Sequence, residues 1–90
     1  MPTPTSSDVA DWLLAEVQRV GFLEQDTAAF EIERRFGSEH VYTNENGNMA
    51  ISRPVLSAFR KISNSEVVWE RRERLWRKRD TFDGPGRLQD

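Results

Sequence analysis

The chain contains no cysteine, a single histidine (His40), and no apolar stretch near the length of a membrane-spanning helix, roughly 20 residues. Without thiols there is no disulfide, no thiolate metal site and no cysteine nucleophile, so stability has to come from packing. A lone histidine provides no second imidazole for a metal, and no serine nucleophile motif or glycine-rich phosphate loop accompanies it. The run NENGN at 44–48 superficially resembles a calcium loop, but Tyr42 breaks the required alternation of ligands and the terminal glutamate is missing. No spacing of the Asp and Glu residues places two of them in one cleft. These absences argue against an enzyme and against any metal, cofactor or small-molecule ligand. Residues 1–7, MPTPTSS, lack the basic start and apolar run of a signal peptide. The expectation is a soluble cytoplasmic protein with 1–7 disordered.

What is present supports one small domain. Ninety residues with 37% hydrophobic content can bury about 60% of their unfolded surface, too little for a second core. Charge is divided unevenly. Residues 1–45 carry nine acids against Arg19, Arg34 and Arg35, a net of -6, while 46–90 carry ten bases against six acids, a net of +4. Two outcomes are open: a dipole that steers a polyanion to one side, or halves that attract each other within the fold.

Val9, Trp12, Leu13, Val17 and Val20 recur on one helical face and predict a helix over 8–20, capped by Ser7 or Asp8 and ended by Gly21. Asp26 suits the cap of a second helix over 27–36, with Ala29, Ile32 and Phe36 as its apolar stripe and Gly37 as its stop. Asn46 and Gly47 lie between two β-rich runs, 41–43 and 49–51, and Asn-Gly suits a two-residue hairpin turn, so a small hairpin or an ordered loop is expected here. Ser52 caps a third helix, about 52–63, with Pro54 in its first turn and Val55, Leu56, Phe59 and Ile62 as its buried stripe. On the opposite face Arg53, Ser57, Arg60, Lys61 and Asn64 fall in one polar, basic row. Such a row either serves as the solvated side of an amphipathic helix or lies in a major groove, its Arg and Asn meeting base edges and its Lys a phosphate.

The segment VVWERRERLWRKR at 67–79 holds six of the thirteen Lys and Arg residues and two of the three tryptophans. Rings interleaved with guanidinium groups can grip phosphates, bases or an acidic protein surface. Read as a hairpin turning near Arg72 and Glu73, it pairs Trp69 with Trp76 and Val68 with Arg77. Read as a fourth helix over 66–79, it gathers Val68, Trp69, Leu75 and Trp76 on one face. The hairpin is the preferred reading, although no Gly, Asn or Pro marks its turn. At least one of Trp12, Trp69 and Trp76 is expected inside the core. The tail 80–90 is expected to be extended or disordered unless Phe82 or Leu88 docks.

The fold class is therefore α+β: three helices and a C-terminal hairpin in one winged-helix-like domain over 8–79. The stretches AAFEIERRFG at 28–37, VYTNENGN at 41–48, VVWE at 67–70, WRKR at 76–79 and DGPGR at 83–87 resemble a family of small uncharacterised bacterial proteins. Some relatives of that family are associated with mobile or cassette-borne genes. The resemblance covers most of the chain and implies no activity, because the family is a domain of unknown function. The fourteen residues from Gly37 to Ala50 depart from the tight turn a winged helix usually has between its second and third helices.

Two partners are expected. The first is double-stranded DNA, with phosphates held by Arg71, Arg72, Arg74, Arg77, Lys78 and Arg79 and bases met by Arg53, Ser57, Arg60 and Asn64. The second is a protein partner or a homodimer, with Trp69, Trp76 and Leu75 as a hot spot ringed by arginines. The pI of about 5.4 favours the second and the local basic cluster the first.

Overall fold

The computed structural model describes residues 4–63, 66–70 and 72–79 with their side chains, and the backbone of 88–89. Thr5 starts the first helix, α1 (Ser6–Val20): its Oγ1 accepts from the Asp8 N–H at 3.1 Å, and Asp8 Oδ2 accepts from the Thr5 N–H at 2.9 Å. This reciprocal cap satisfies two backbone donors that a helix start leaves orphaned. The helix therefore begins before the predicted 8, with Thr5 as its cap and Ser6 and Ser7 in its first turn. Residues 1–3 lie outside the described residues. Val9, Ala10, Leu13 and Val17 are fully buried, and Gly21 ends the helix in the left-handed region at φ 99°.

That turn feeds a short strand, β1 (Phe22–Glu24), which the periodicity did not reveal because three residues carry no readable alternation. The second helix, α2 (Gln25–Phe36), follows at once. Glu24 occupies its cap position without a side-chain bond, so the expected cap, Asp26, sits inside the first turn instead. There its carboxylate still suits the positive end of the helix dipole. Gly37 stops α2 at φ 105° and ψ 164°, a glycine conformation different from the one that ends α1.

A 3-10 turn (Ser38–His40) leads into β2 (Val41–Thr43), which pairs antiparallel with β3 (Met49–Ile51). The small hairpin is present, and its connection is an ordered loop over 44–48 rather than a two-residue turn, because Asn44 organises it. Asn44 Oδ1 accepts from the N–H groups of Asn46 and Asn48, both at 3.0 Å, and its own N–H bonds the Asn48 carbonyl. An Asx-type side chain of this kind competes with a tight backbone turn. His40 is buried, with Nε2 3.1 Å from the Pro4 carbonyl, which ties the start of the chain to this region.

The third helix, α3 (Arg53–Ser63), buries Val55, Phe59 and Ser63. Ile62, expected inside, is 41% exposed. The buried arc runs through 55, 59 and 63, and Ile62 falls off its edge. Ser63 is tolerated at zero exposure because its Oγ donates to the Phe59 carbonyl at 2.6 Å. α1 packs mainly on α3.

The 67–79 segment is a hairpin, β4 (Val67–Glu70) and β5 (Leu75–Lys78), so the helical alternative does not occur. Trp69 faces Trp76 and Val68 faces Arg77, the register the alternation predicts. The turn works without glycine because Arg74 itself adopts φ 54°. β5 lies in the middle, flanked by β4 and by β1, whose Leu23 sits opposite Trp76. A final strand, β6 (Leu88–Gln89), pairs parallel to β4; the rest of the 80–90 tail lies outside the described residues. The result is the expected α+β class with its C-terminal hairpin. No described helix is long and apolar enough to cross a membrane.

Candidate nucleic-acid interface

Helical spacing places the predicted α3 row outside. Arg53, Ser57, Arg60 and Lys61 are all exposed, opposite Val55 and Phe59, while Asn64 lies outside the described residues. On the hairpin, Arg72, Arg74 and Lys78 are exposed and Arg79 is half-buried, while Arg71 lies outside the described residues. Among the described residues no hydrogen bond or ion pair joins the α3 row to the hairpin cations.

Two members of the predicted set belong to the fold. Trp76 is only 4% exposed, its ring meeting Phe59 edge-on at 5.3 Å and Trp69 at 5.0 Å, so it is a core residue and not a surface contact. Sheet geometry requires this: Trp76 shares a face with Leu23 and Trp69, the face turned toward the helices. Trp69 is half-buried against the core and Leu75 is partly covered. Arg77 is half-buried, with Nε donating to Glu70 Oε1 at 2.8 Å and Nη2 2.6 Å from the same oxygen. Glu70 and Arg77 sit diagonally on the sheet face opposite the tryptophans, where such pairs reach each other.

The charge asymmetry acquires a physical form. In the first half each arginine is engaged locally: Arg19 with Glu16 at 2.7 Å, Arg34 with Glu31 at 2.8 Å, and Arg35 with Glu31 at 2.9 Å. Arg35 also stands 5.4 Å from the centre of the Trp12 ring. In the second half, Arg53, Arg60, Lys61, Arg72 and Lys78 have no carboxylate partner among the described residues. Among the described residues the Arg74 side chain bonds the neutral Gln25 side chain, at 3.2 Å, and no carboxylate. No ion pair between described residues crosses from one half to the other.

Hydrogen bonds from Arg34 and then Arg35 hold the Glu31 carboxyl below the usual carboxylate range, and Glu31 in turn raises Arg34. A carboxyl depressed in the folded state stabilises above its unfolded pKa, and that stability is lost as pH falls through the folded value. Glu31→Gln is therefore expected to lower the melting temperature slightly at neutral pH, with the difference vanishing in acid below the ordinary carboxylate range. Paired thermal melts across that window check it.

The structure adds a feature absent from the predicted set. Tyr42, Thr43, Asn44, Glu45, Asn46 and Arg53 line an open recess of about 400 Å³ between the β2–β3 loop and the first turn of α3. Arg53 thus belongs both to the α3 row and to this recess. The run 44–48 stood out in the sequence, but only as a turn and a failed calcium loop. What makes it part of a site is its folding back beside Arg53. Among the described residues no three His, Asp or Glu side chains gather as a metal site.

A search of curated proteins found no match, and a search of solved structures found none. The model of the family of unknown function DUF6953 matches residues 5–78, a span from the Thr5 cap through the whole β4–β5 hairpin, and the chain belongs to that family.

Proposed function

We propose that the protein is a non-enzymatic, cytoplasmic DNA-binding module of winged-helix type, in which the exposed row of α3 lies along a groove with its cations on the flanking phosphates and the β4–β5 hairpin holds the adjoining backbone. The observation that carries this reading is the set of six cations without carboxylate partners among the described residues: Arg53, Arg60, Lys61, Arg72, Arg74 and Lys78. Cations already neutralised by an adjacent acid have little to give a phosphate, whereas these gain by displacing condensed counterions.

Topology supports it as well. Leaving aside the inserted β2–β3 hairpin and the short β6, the order is helix, strand, helix, helix and hairpin, with β1 pairing β5, the second strand of that hairpin. This order agrees with the winged-helix reading, and the insertion occupies the long connection between the second and third helices. The wing's turn keeps an arginine at φ 54° where glycine or asparagine would be relaxed. Strain of about 1–2 kcal/mol is retained where a cation is presented to solvent.

A second reading, self-association or a protein partner, moves away from the tryptophans, since Trp76 is core. It is favoured by Phe22 at 49% and Val20 at 46% exposure beside β1, a sheet-edge strand. A salt titration of binding to random duplex DNA separates the two. Six phosphate contacts predict a slope of log affinity against log salt near -5. A flat dependence, together with a mass that rises with protein concentration, overturns the DNA reading in favour of the second.

A further inference from the structure

The recess beside Arg53 has a chemistry unlike that of the cationic row. Its lining combines one cation, Arg53, with one anion, Glu45, an exposed aromatic ring, Tyr42, and the amide or hydroxyl groups of Asn44, Asn46 and Thr43. With one charge of each sign its pull on a bare phosphate is weak. It does offer donors, acceptors and a flat π-face within a volume of about 400 Å³, at the lower end of the range of small-molecule sites. A planar group with a donor and acceptor edge fits that combination. The loop is also held in shape: Asn44 Oδ1 accepts from two backbone N–H groups, so the recess does not depend on a ligand to form.

Resting on the DNA-binding reading, we infer that this recess takes one unstacked nucleobase, from a frayed end or single-stranded extension of the DNA held by α3. Tyr42 supplies the stacking surface, and Arg53 and Glu45 meet the base edge. Arg53 links the two activities, because it begins the helix whose later residues, Ser57, Arg60 and Lys61, face the duplex. Bases displaced from a stack are commonly received on aromatic side chains and recognised along their exposed edges.

The test compares three DNAs by fluorescence anisotropy at fixed salt: a blunt duplex, the same duplex with a three-nucleotide extension, and the same duplex with a three-nucleotide abasic extension. The last two carry equal phosphates, so only the bases differ. The expected result is affinity about ten-fold tighter for the extension with bases than for the abasic one. Tyr42→Ala should abolish that advantage while leaving the blunt-duplex affinity and its salt slope unchanged, and Tyr42→Phe should retain it. Equal affinity for the two extensions, with salt-dependent duplex binding intact, overturns the nucleobase site and leaves the DNA reading standing. No binding to any of the three overturns both.

Discussion

Trp76→Ala is expected to cost about 3–5 kcal/mol, the range for removing a large aromatic from a packed core. The ring is 4% exposed and has a partner on either side, Phe59 of α3 and Trp69 of β4. Each aromatic pair adds about 0.5–1.5 kcal/mol beyond the area buried. Trp76 also lies on the central strand β5, so the cavity would open beneath β1 and β4 together. A domain of this size has about 5–13 kcal/mol of stability in total, so the variant keeps only part of it. At about 4–8 °C per kcal/mol the melting temperature should fall by about 15–30 °C. Trp69→Ala should fall less, because Trp69 is only half-buried. Thermal and guanidinium unfolding of the two variants check this; equal losses would mean that the hairpin does not pack through its central strand.

Neutralising the α3 row, with Arg53, Arg60 and Lys61 each replaced by Gln, is expected to weaken binding to duplex DNA by roughly 10²–10³-fold at about 0.1 M salt. Each lost phosphate contact removes about 0.9 from the salt slope, so the slope should drop from near -5 to near -2.5. These side chains are exposed and have no carboxylate partner among the described residues, so stability should change little. Arg77→Gln is the instructive contrast. Its charge is already held by Glu70 in a half-buried pair, so its loss should affect stability more than the salt slope. Anisotropy titrations at several salt concentrations, run beside thermal melts, distinguish the two classes. A triple variant that binds as tightly as the unmodified chain would remove α3 from the interface.

Much of this was legible residue by residue. The 3.6-residue spacing of Val9, Leu13 and Val17 and of Val55 and Phe59 marks helices whatever surrounds them. The two-residue alternation around Trp69 and Trp76 specifies the hairpin register, since a one-residue slip would put the two rings on opposite faces of the sheet. The basic row on α3 follows from the same helical arithmetic, and its exposure agrees. Two of the misses, β1 and the edge of α3, depend on contacts distant in sequence, while the Thr5 cap and the Asn44 loop rest on side-chain bonds a few residues long. β1 is three residues long and is a strand only because β5 lies beside it. Ile62 and Ser63 exchange roles because the partner surface on α1, not periodicity, sets where the buried arc ends. Asn44 was read as loop composition, yet its side chain decides the loop's length.

By itself, then, the sequence determined the identity of the main elements, the pairing of the two tryptophans and the separation of acidic from basic halves, because each depends on neighbours within a turn or a hairpin. Tertiary structure alone decided which tryptophan is core and that the 44–48 loop lines a recess with Arg53. Burial and charge pairing are set by what folds against a residue, and a periodic pattern names the face without naming its partner.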